Sequence, residues 1–429
     1  MVDDMDRRFL NGMLAGALST LLICVVVFGA MNYARMYPSG AKHATTENVQ
    51  PPVVANETPE NATGTVTSDE FNKKVAMMYS LIDGFYYKDV DRKTLEEGML
   101  EGLARSLGDP YAEYYNEEEY ARMVEENSGT YCGIGALVSQ NIKTGEITIV
   151  KPYPDSPAFK AGMLPGDIIC EVDGKDVIGM NLNDVVSCLR GEAGTSVDVK
   201  VAREGEEELV PLHIVRASIE SVYVEEKMLD DGVGYIYLTE FEETTYPQFE
   251  KALNSLTAQG MKGLILDLRG NPGGLVDTSV EMLDLMIDKD NLLFYTEDKV
   301  GYVEEFYTKT DDSIDLPIVI LADGNTASAS EIFIGALKNC KDVTLVGEKT
   351  YGKGIVQYTF TLVGDKEGFK FTNSYYFLPD GSCIHDVGIE PDVEVELDEE
   401  YRTTLIEFRD GDNQLDAAME EIKKKLGTD

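Results

Sequence analysis

Three turns at the ends of apolar runs carry the residue types that chemistry needs. In residues 267–274, DLRGNPGG, a strand-like run stops and two glycines precede a helical pattern. Backbone N–H groups freed in such a turn can stabilise a developing oxyanion. In residues 322–332, ADGNTASASEI, small residues crowd the turn before a helix and leave the Ser328 hydroxyl accessible. Ser328 and Glu331 also spell a capping box, and read alone that is the stronger signal. In residues 347–357, GEKTYGKGIVQ, Gly347, Gly352 and Lys353 match a phosphate-binding loop, but Gly354 stands where that loop needs a hydroxyl. Val356, Tyr358, Phe360 and Leu362 then alternate with polar residues. That is a strand period, whereas a phosphate loop must open a helix, so the nucleotide reading fails.

A serine nucleophile needs a base. The chain has three histidines: His43 in a linker, His213 in a β-rich stretch, and His385. His385 is the only histidine rival; a neutral lysine can serve instead. Free lysine titrates near 10.4 and a working base near 7–8, a difference of about 4 kcal/mol. The 429 residues hold 37 Lys plus Arg against 78 Asp plus Glu, a net charge of −41. Such a field favours the protonated lysine, so desolvation must outweigh it. The expectation is a buried Lys353 whose ammonium is not paired with Glu331. The same charge excludes nucleic acid as the default partner.

Elements must hold these turns in place. Residues 217–400 alternate strand and helix patterns, as βαβ units do. Residues 129–216 show short β runs with helical stretches near 158–161 and 182–189. Residues 68–128 are helical, with Thr67 and Glu70 as a capping box, and end in packing and assembly roles without chemistry. Residues 401–429 read as a helical tail ending in Lys423, Lys424 and Lys425, either an assembly helix or loose. At the other end, the 26 residues 9–34 carry no charge and are long enough to span a bilayer. No small-x-small cleavage site follows, so residues 1–37 read as a stub and uncleaved transmembrane anchor rather than a signal peptide. Arg7 and Arg8 balance Arg35 and Lys42, so charge does not set orientation. Residues 38–67, rich in Pro, Thr, Asn and Gly, read as a flexible tether. Of six cysteines, five lie beyond the anchor, and all five are expected to be thiols.

The segment SPAFKAGMLPGDIICEVDGKDV, residues 156–177, resembles a PDZ domain, a module that grips peptide C-termini. YCGIGALV, residues 131–138, then looks like its carboxylate-binding loop, with Tyr131, Cys132, Gly133, Ile134 and Gly135 as candidates. With the three turns in order behind it, and with MLEGLARSLGDPYAEYY and SYYFLPDGSCIHDVGIEPDVEV on either side, residues 68–397 resemble the C-terminal processing peptidases. The resemblance implies an α/β multidomain chain: an N-terminal transmembrane helix, a small helical domain, a PDZ-like domain and a crotonase-like βαβ core. It places the nucleophile at Ser328, the base at Lys353, and the residue that orients the lysine at Gln357. The oxyanion donors fall on the N–H groups of Gly274, with Gly273 beside it, and Ala329. Asn325-Thr326 stands where the family has Gly-Ser.

The implied activity is a membrane-anchored serine endopeptidase, its bulk extracytoplasmic, that captures protein C-termini and cleaves them without metal or cofactor. The alternative is an inactive tail-binding scaffold. Whether the chain forms a homo-oligomer stays open. Lys353 and Gln357 pose a geometric demand: four residues of straight strand span about 13 Å, so their contact needs a bend.

Overall fold

The structure, a computed structural model, describes residues 68–141, 144–311, 313–362, 364, 366–399, 401 and 412–427. The proposed anchor and tether lie outside them. Among the described residues no helix is long and apolar enough to cross a membrane. Contacts divide the chain into residues 1–89 and 90–429. In the first unit, helix Asp69–Phe85 starts at Ser68, whose side chain accepts the Phe71 N–H. The cap thus sits one residue beyond the expected Thr67, which lies outside the described residues.

The second unit opens with helix Arg92–Arg105, capped by Asp91. Gly108 ends it at a positive φ of 69°, a conformation glycine adopts without steric cost. After the turn at Asp109, strand Glu113–Tyr115 pairs with Gly368–Phe377. Helix Glu117–Asn127 follows, closed by a capping box of Asn116 and Glu119.

A six-stranded antiparallel sheet comes next, running from Ala136–Gln140 at one edge to Val210–Val215 at the other. Helices Pro157–Lys160 and Leu182–Leu189 lie where the spacing predicts. Alternation along Ser196–Ala202 turns Val197, Val199 and Val201 inward onto Ile149, Ile169 and Val185. Among the described residues strand Ala136–Gln140 pairs only with Ile147–Pro152, which leaves an edge that can accept another strand.

The largest core surrounds a sheet ordered Val224–Met228, Val233–Leu238, Gly263–Asp267, Ile318–Ala322, Val343–Gly347, Val393–Glu394. The first pair is antiparallel and the rest are parallel. Strands Gly263–Asp267 and Ile318–Ala322 are buried at every position, which is why they read as unbroken apolar runs. Helices Thr245–Ala258, Val276–Asp284 and Ala329–Cys340 cover one face. Helix Asn413–Leu426 covers the other, setting Leu415, Ala418 and Ile422 on Ile265, Val319 and Val346. Helix Asn413–Leu426 is therefore packed on the chain's own core. Its start is pinned by a buried network: Arg269, 3% exposed, donates to Asp267, to Asp412 at 2.5 Å and to Gln414 at 2.9 Å.

Strand and helix patterns left one layer unread. Leu292–Asp298, Val303–Tyr307, Ile355–Thr361, Gly368–Phe377 and Glu113–Tyr115 form a separate antiparallel sheet. It matters because Lys353 and Gln357 stand at its entrance.

Candidate active site

The three turns converge at the carboxyl ends of the parallel strands, where open α/β sheets gather ligands. Pro272, Gly274, Ser328, Lys353, Gln357 and Tyr376 line one cavity of about 180 Å³.

Ser328 opens helix Ala329–Cys340 with φ 59° and ψ −120°. An ordinary N-cap sits in the β region, so this is not simply a capping serine. A non-glycine residue there carries strain of order 1–3 kcal/mol, and such strain clusters where a side chain must be aimed. A sharp strand-to-helix turn of this kind exposes the nucleophilic serine of α/β hydrolases. The surroundings enforce it. A Cβ on Gly273 would lie 2.8 Å from the Ser328 Cβ, so only glycine lets the two loops approach so closely. Thr326 is fully buried, and its hydroxyl donates to the Leu268 carbonyl at 2.8 Å and accepts the Asp323 N–H at 3.0 Å. The departure to Asn325-Thr326 thus leaves a firmly held turn.

The two glycines differ. Gly273 donates its N–H to Asn271 Oδ1 at 2.9 Å, so this donor is already occupied, contrary to the expectation for Gly273. Among the described residues, no hydrogen bond occupies the N–H of Gly274 or of Ala329. Those two remain the candidate oxyanion donors.

Glu331 is fully buried. Its carboxylate accepts the N–H of Ser328 at 2.9 Å, of Gly352 at 2.8 Å and of Lys353 at 2.8 Å, plus the Thr350 hydroxyl at 2.5 Å. It holds the lysine's backbone and forms no ion pair with its ammonium. The sequence suggests a capping box of Ser328 and Glu331, but not the contacts of Glu331 with Thr350, Gly352 and Lys353.

Lys353 is half-buried, and burial pushes its pKa below the ordinary 10.5; nearby Lys370 adds to the fall and Asp109 opposes it. Its Nζ stands 4.4 Å from the centroid of the Tyr111 ring. Among the described residues its ammonium makes no hydrogen bond, to Ser328 or to any other. Gln357 follows a register shift between Val356 and Gln357 in the pairing with Gly368–Phe377, and among the described residues no hydrogen bond joins it to Lys353. Its Nε2 donates to Thr372 Oγ1 at 3.3 Å. Tyr376, fully buried, donates its hydroxyl to the Ser328 carbonyl at 3.4 Å. His385 does not line the cavity; its backbone runs close against Gly354, and its ring stands edge-on to Tyr375 with centroids 5.4 Å apart.

Away from this cavity, Ile134, Leu137, Val138, Val186 and Leu189 line an apolar groove of about 220 Å³ shared with Tyr131 and Arg190. It lies between the free edge strand and helix Leu182–Leu189. Part of the expected loop is a strand instead: Thr130–Gly133 pairs with Ala217–Glu220. Cys132 donates its N–H to Glu125 at 3.2 Å and is not a free donor. Ile134 and Gly135 form the remaining turn, their carbonyls taken by Ala158 and Tyr153. A third cavity of about 350 Å³ shares Tyr131 and Arg190 with the groove, and Pro272 and Gly274 with the Ser328 cavity. Glu240 and Glu242 line it. All five described cysteines are free thiols.

Three family models match the sequence. The PDZ domain model matches residues 148–203, the peptidase family S41 model residues 232–395, and the activating protease CtpB N-terminal domain model residues 25–119. The chain is 40% identical over 336 residues to the carboxy-terminal processing protease CtpA of Bacillus subtilis (strain 168), spanning 78% of this chain and 70% of that protein. It is 33% identical over 355 residues to CtpB of the same organism, spanning 82% and 73%. An S41 protease structure from Bacteroides fragilis shares the fold at a TM-score of 0.50 and 18% identity, covering 80% of this chain and 92% of its own. On these grounds the chain belongs to peptidase family S41, among the PDZ-containing carboxy-terminal processing serine proteases.

Proposed function

We propose that this protein is an endopeptidase that captures protein C-terminal tails in its PDZ groove and cleaves them through an acyl-enzyme on Ser328. The observation that carries the reading is the strained Ser328, set at a helix N-terminus in one cavity with Lys353, Gln357 and Gly274. Neutral Lys353 takes the hydroxyl proton as Oγ attacks the scissile carbonyl. The oxyanion receives the N–H groups of Gly274 and Ala329. Lys353 then returns the proton to the leaving amine, and water releases the acyl group by the same route in reverse. Gln357, beside Thr372, orients the lysine in its neutral form. A substrate tail adds to edge strand Ala136–Gln140, with Ile134 and Gly135 near its carboxylate. The cavity between groove and Ser328 gives the chain a path from capture to cleavage. The uncharged run 9–34 holds the enzyme on a membrane with its bulk outside the cytoplasm.

The test is cleavage of a peptide library with free apolar C-termini by the full chain in detergent. Activity lost in Ser328→Ala and Lys353→Ala but kept in His385→Ala supports the reading. An active Lys353→Ala with an inactive His385→Ala overturns the base assignment. Tail binding without cleavage by the wild type favours the scaffold.

A further inference from the structure

The lysine is gripped by a segment whose sequence suggested packing alone. Tyr111 lies 242 positions before Lys353, in the turn between helix Arg92–Arg105 and strand Glu113–Tyr115. Its ring faces the Lys353 Nζ at 4.4 Å. Among the described residues this is the only polar or cation–π partner of that ammonium. The turn itself is clamped. Tyr111 donates its N–H to Asp109 Oδ1 at 2.9 Å, and Asp109 Oδ2 accepts the Thr372 N–H at 2.8 Å. Thr372 is also the residue that holds the Gln357 amide. One run of contacts therefore passes from Gln357 through Thr372 and Asp109 to Tyr111 and so to Lys353.

From this geometry we infer that the face of Tyr111 holds the protonated side chain of Lys353 in the cavity, and that Tyr111 is a positioning residue for the base. The inference rests on the reading of Lys353 as that base. An aromatic face attracts an ammonium through the ring quadrupole and offers a neutral amine no such attraction. Tyr111 therefore acts on one protonation state. It keeps the resting cation in place beside Ser328 while the apolar ring shuts water from it. Loss of the proton releases the amine to the hydroxyl.

Other charges facing Lys353 act in known directions. Asp109 favours the cation and Lys370, on strand Gly368–Phe377, opposes it. Lys370 is itself held by Glu113 at 3.0 Å and by the Tyr115 hydroxyl. Glu331, on helix Ala329–Cys340, accepts three backbone N–H groups and the Thr350 hydroxyl. Around Tyr111 stand the hydroxyl of Tyr351 and the carboxylate of Asp386. Tyr111→Leu and Tyr111→Phe both remove the hydroxyl's contact with Tyr351, so the difference between the two variants isolates the ring face.

The experiment is the pH profile of kcat/KM for a tail peptide, measured on the full chain. Tyr111→Leu keeps the apolar bulk and removes the face. Its acid limb is expected to move to lower pH by roughly half a unit or more, with KM within about twofold of wild type. Tyr111→Phe keeps the face and is expected to retain the wild-type limb. Replacing Tyr111 by 3,5-difluorophenylalanine weakens the face at nearly constant shape, and an intermediate shift is expected; this variant serves if Tyr111→Leu does not fold. An unmoved limb in Tyr111→Leu or the fluorinated variant overturns the inference, as does an equal shift in Tyr111→Phe. Lys353→Ala separates the two ideas. If it stays active, the base assignment itself fails; if it is inactive while the limb never moves, only the role of Tyr111 fails.

Discussion

Ser328 and Lys353 donate their backbone N–H groups to the same atom, Oε2 of Glu331, at 2.9 and 2.8 Å. One buried oxygen thus fixes the spacing of two loops that leave different strands. The other oxygen, Oε1, holds Gly352 and Thr350. A carboxylate so saturated has no lone pair aimed at the lysine ammonium. Among the described residues no ion pair joins Glu331 to the Lys353 ammonium, and the acid whose charge favours the lysine cation is Asp109.

Glu331→Gln tests this arrangement. The amide turns an NH₂ group toward donors that need an acceptor, so at least one buried N–H loses its partner. Unsatisfied buried donors cost about 1–3 kcal/mol each. Urea unfolding is expected to show a loss of about 2 kcal/mol or more. Activity should fall at least tenfold even where the variant is fully folded. Wild-type stability in Glu331→Gln would mean the four contacts do not hold the loops.

The backbone of Ser328 makes a second prediction. Its φ of 59° strains any residue with a Cβ. Ser328→Ala keeps that strain and Ser328→Gly removes it. Both variants should be inactive, but Ser328→Gly is expected to be the more stable by about 1 kcal/mol, despite the flexibility glycine adds to the unfolded chain. Equal or reversed stabilities, read from denaturant midpoints, would show that the turn is not strained.

Gly274 offers a third. A Cβ there would lie 2.3 Å from the Phe241 carbonyl oxygen, and its φ of 136° suits glycine alone. Gly274→Ala must therefore shift the loop and its free N–H. Losing one oxyanion donor costs about 10²–10³ in kcat. The expected result is a loss in that range with tail affinity unchanged, measured by titrating a non-cleaved peptide. A kcat within threefold of wild type would remove Gly274 from the oxyanion site.

How much of this was legible follows from where each contact is encoded. The strands Gly263–Asp267 and Ile318–Ala322 announce themselves because both faces are buried, and their turns announce themselves through Gly and small residues. Helix Leu182–Leu189 is legible from its own periodicity. The lysine's surroundings are not. Tyr111 and Asp109 sit in a helical segment with no reactive pattern, and only the strand pairing of Glu113–Tyr115 with Gly368–Phe377 brings them to Lys353. The occupied N–H of Gly273 depends on the Asn271 side chain, which residue types alone do not reveal. The Arg269–Asp412 contact spans 143 positions, so the terminal helix read equally well as a loose tail.

The cavity between groove and Ser328 makes the last prediction, about pH. Burial, with the carboxylates of Glu240, Glu126 and Glu243 beside it, pushes the Glu242 pKa from 4.5 up to about 8. Its Oε2 is buried without a hydrogen-bond partner among the described residues. In the unfolded chain this group titrates near 4.5. Between about pH 4.5 and 8 the folded state therefore binds a proton that the unfolded state has released. Glu242 then lowers stability progressively as pH rises through that window, and adds no further slope above it. Glu242→Gln mimics the protonated form at every pH. The difference in Tm between Glu242→Gln and wild type should grow in the variant's favour from pH 5 to pH 8 and then level. Thermal unfolding across that range checks it. A difference that stays constant would mean that Glu242 titrates normally and that the path from groove to Ser328 is well hydrated at this point.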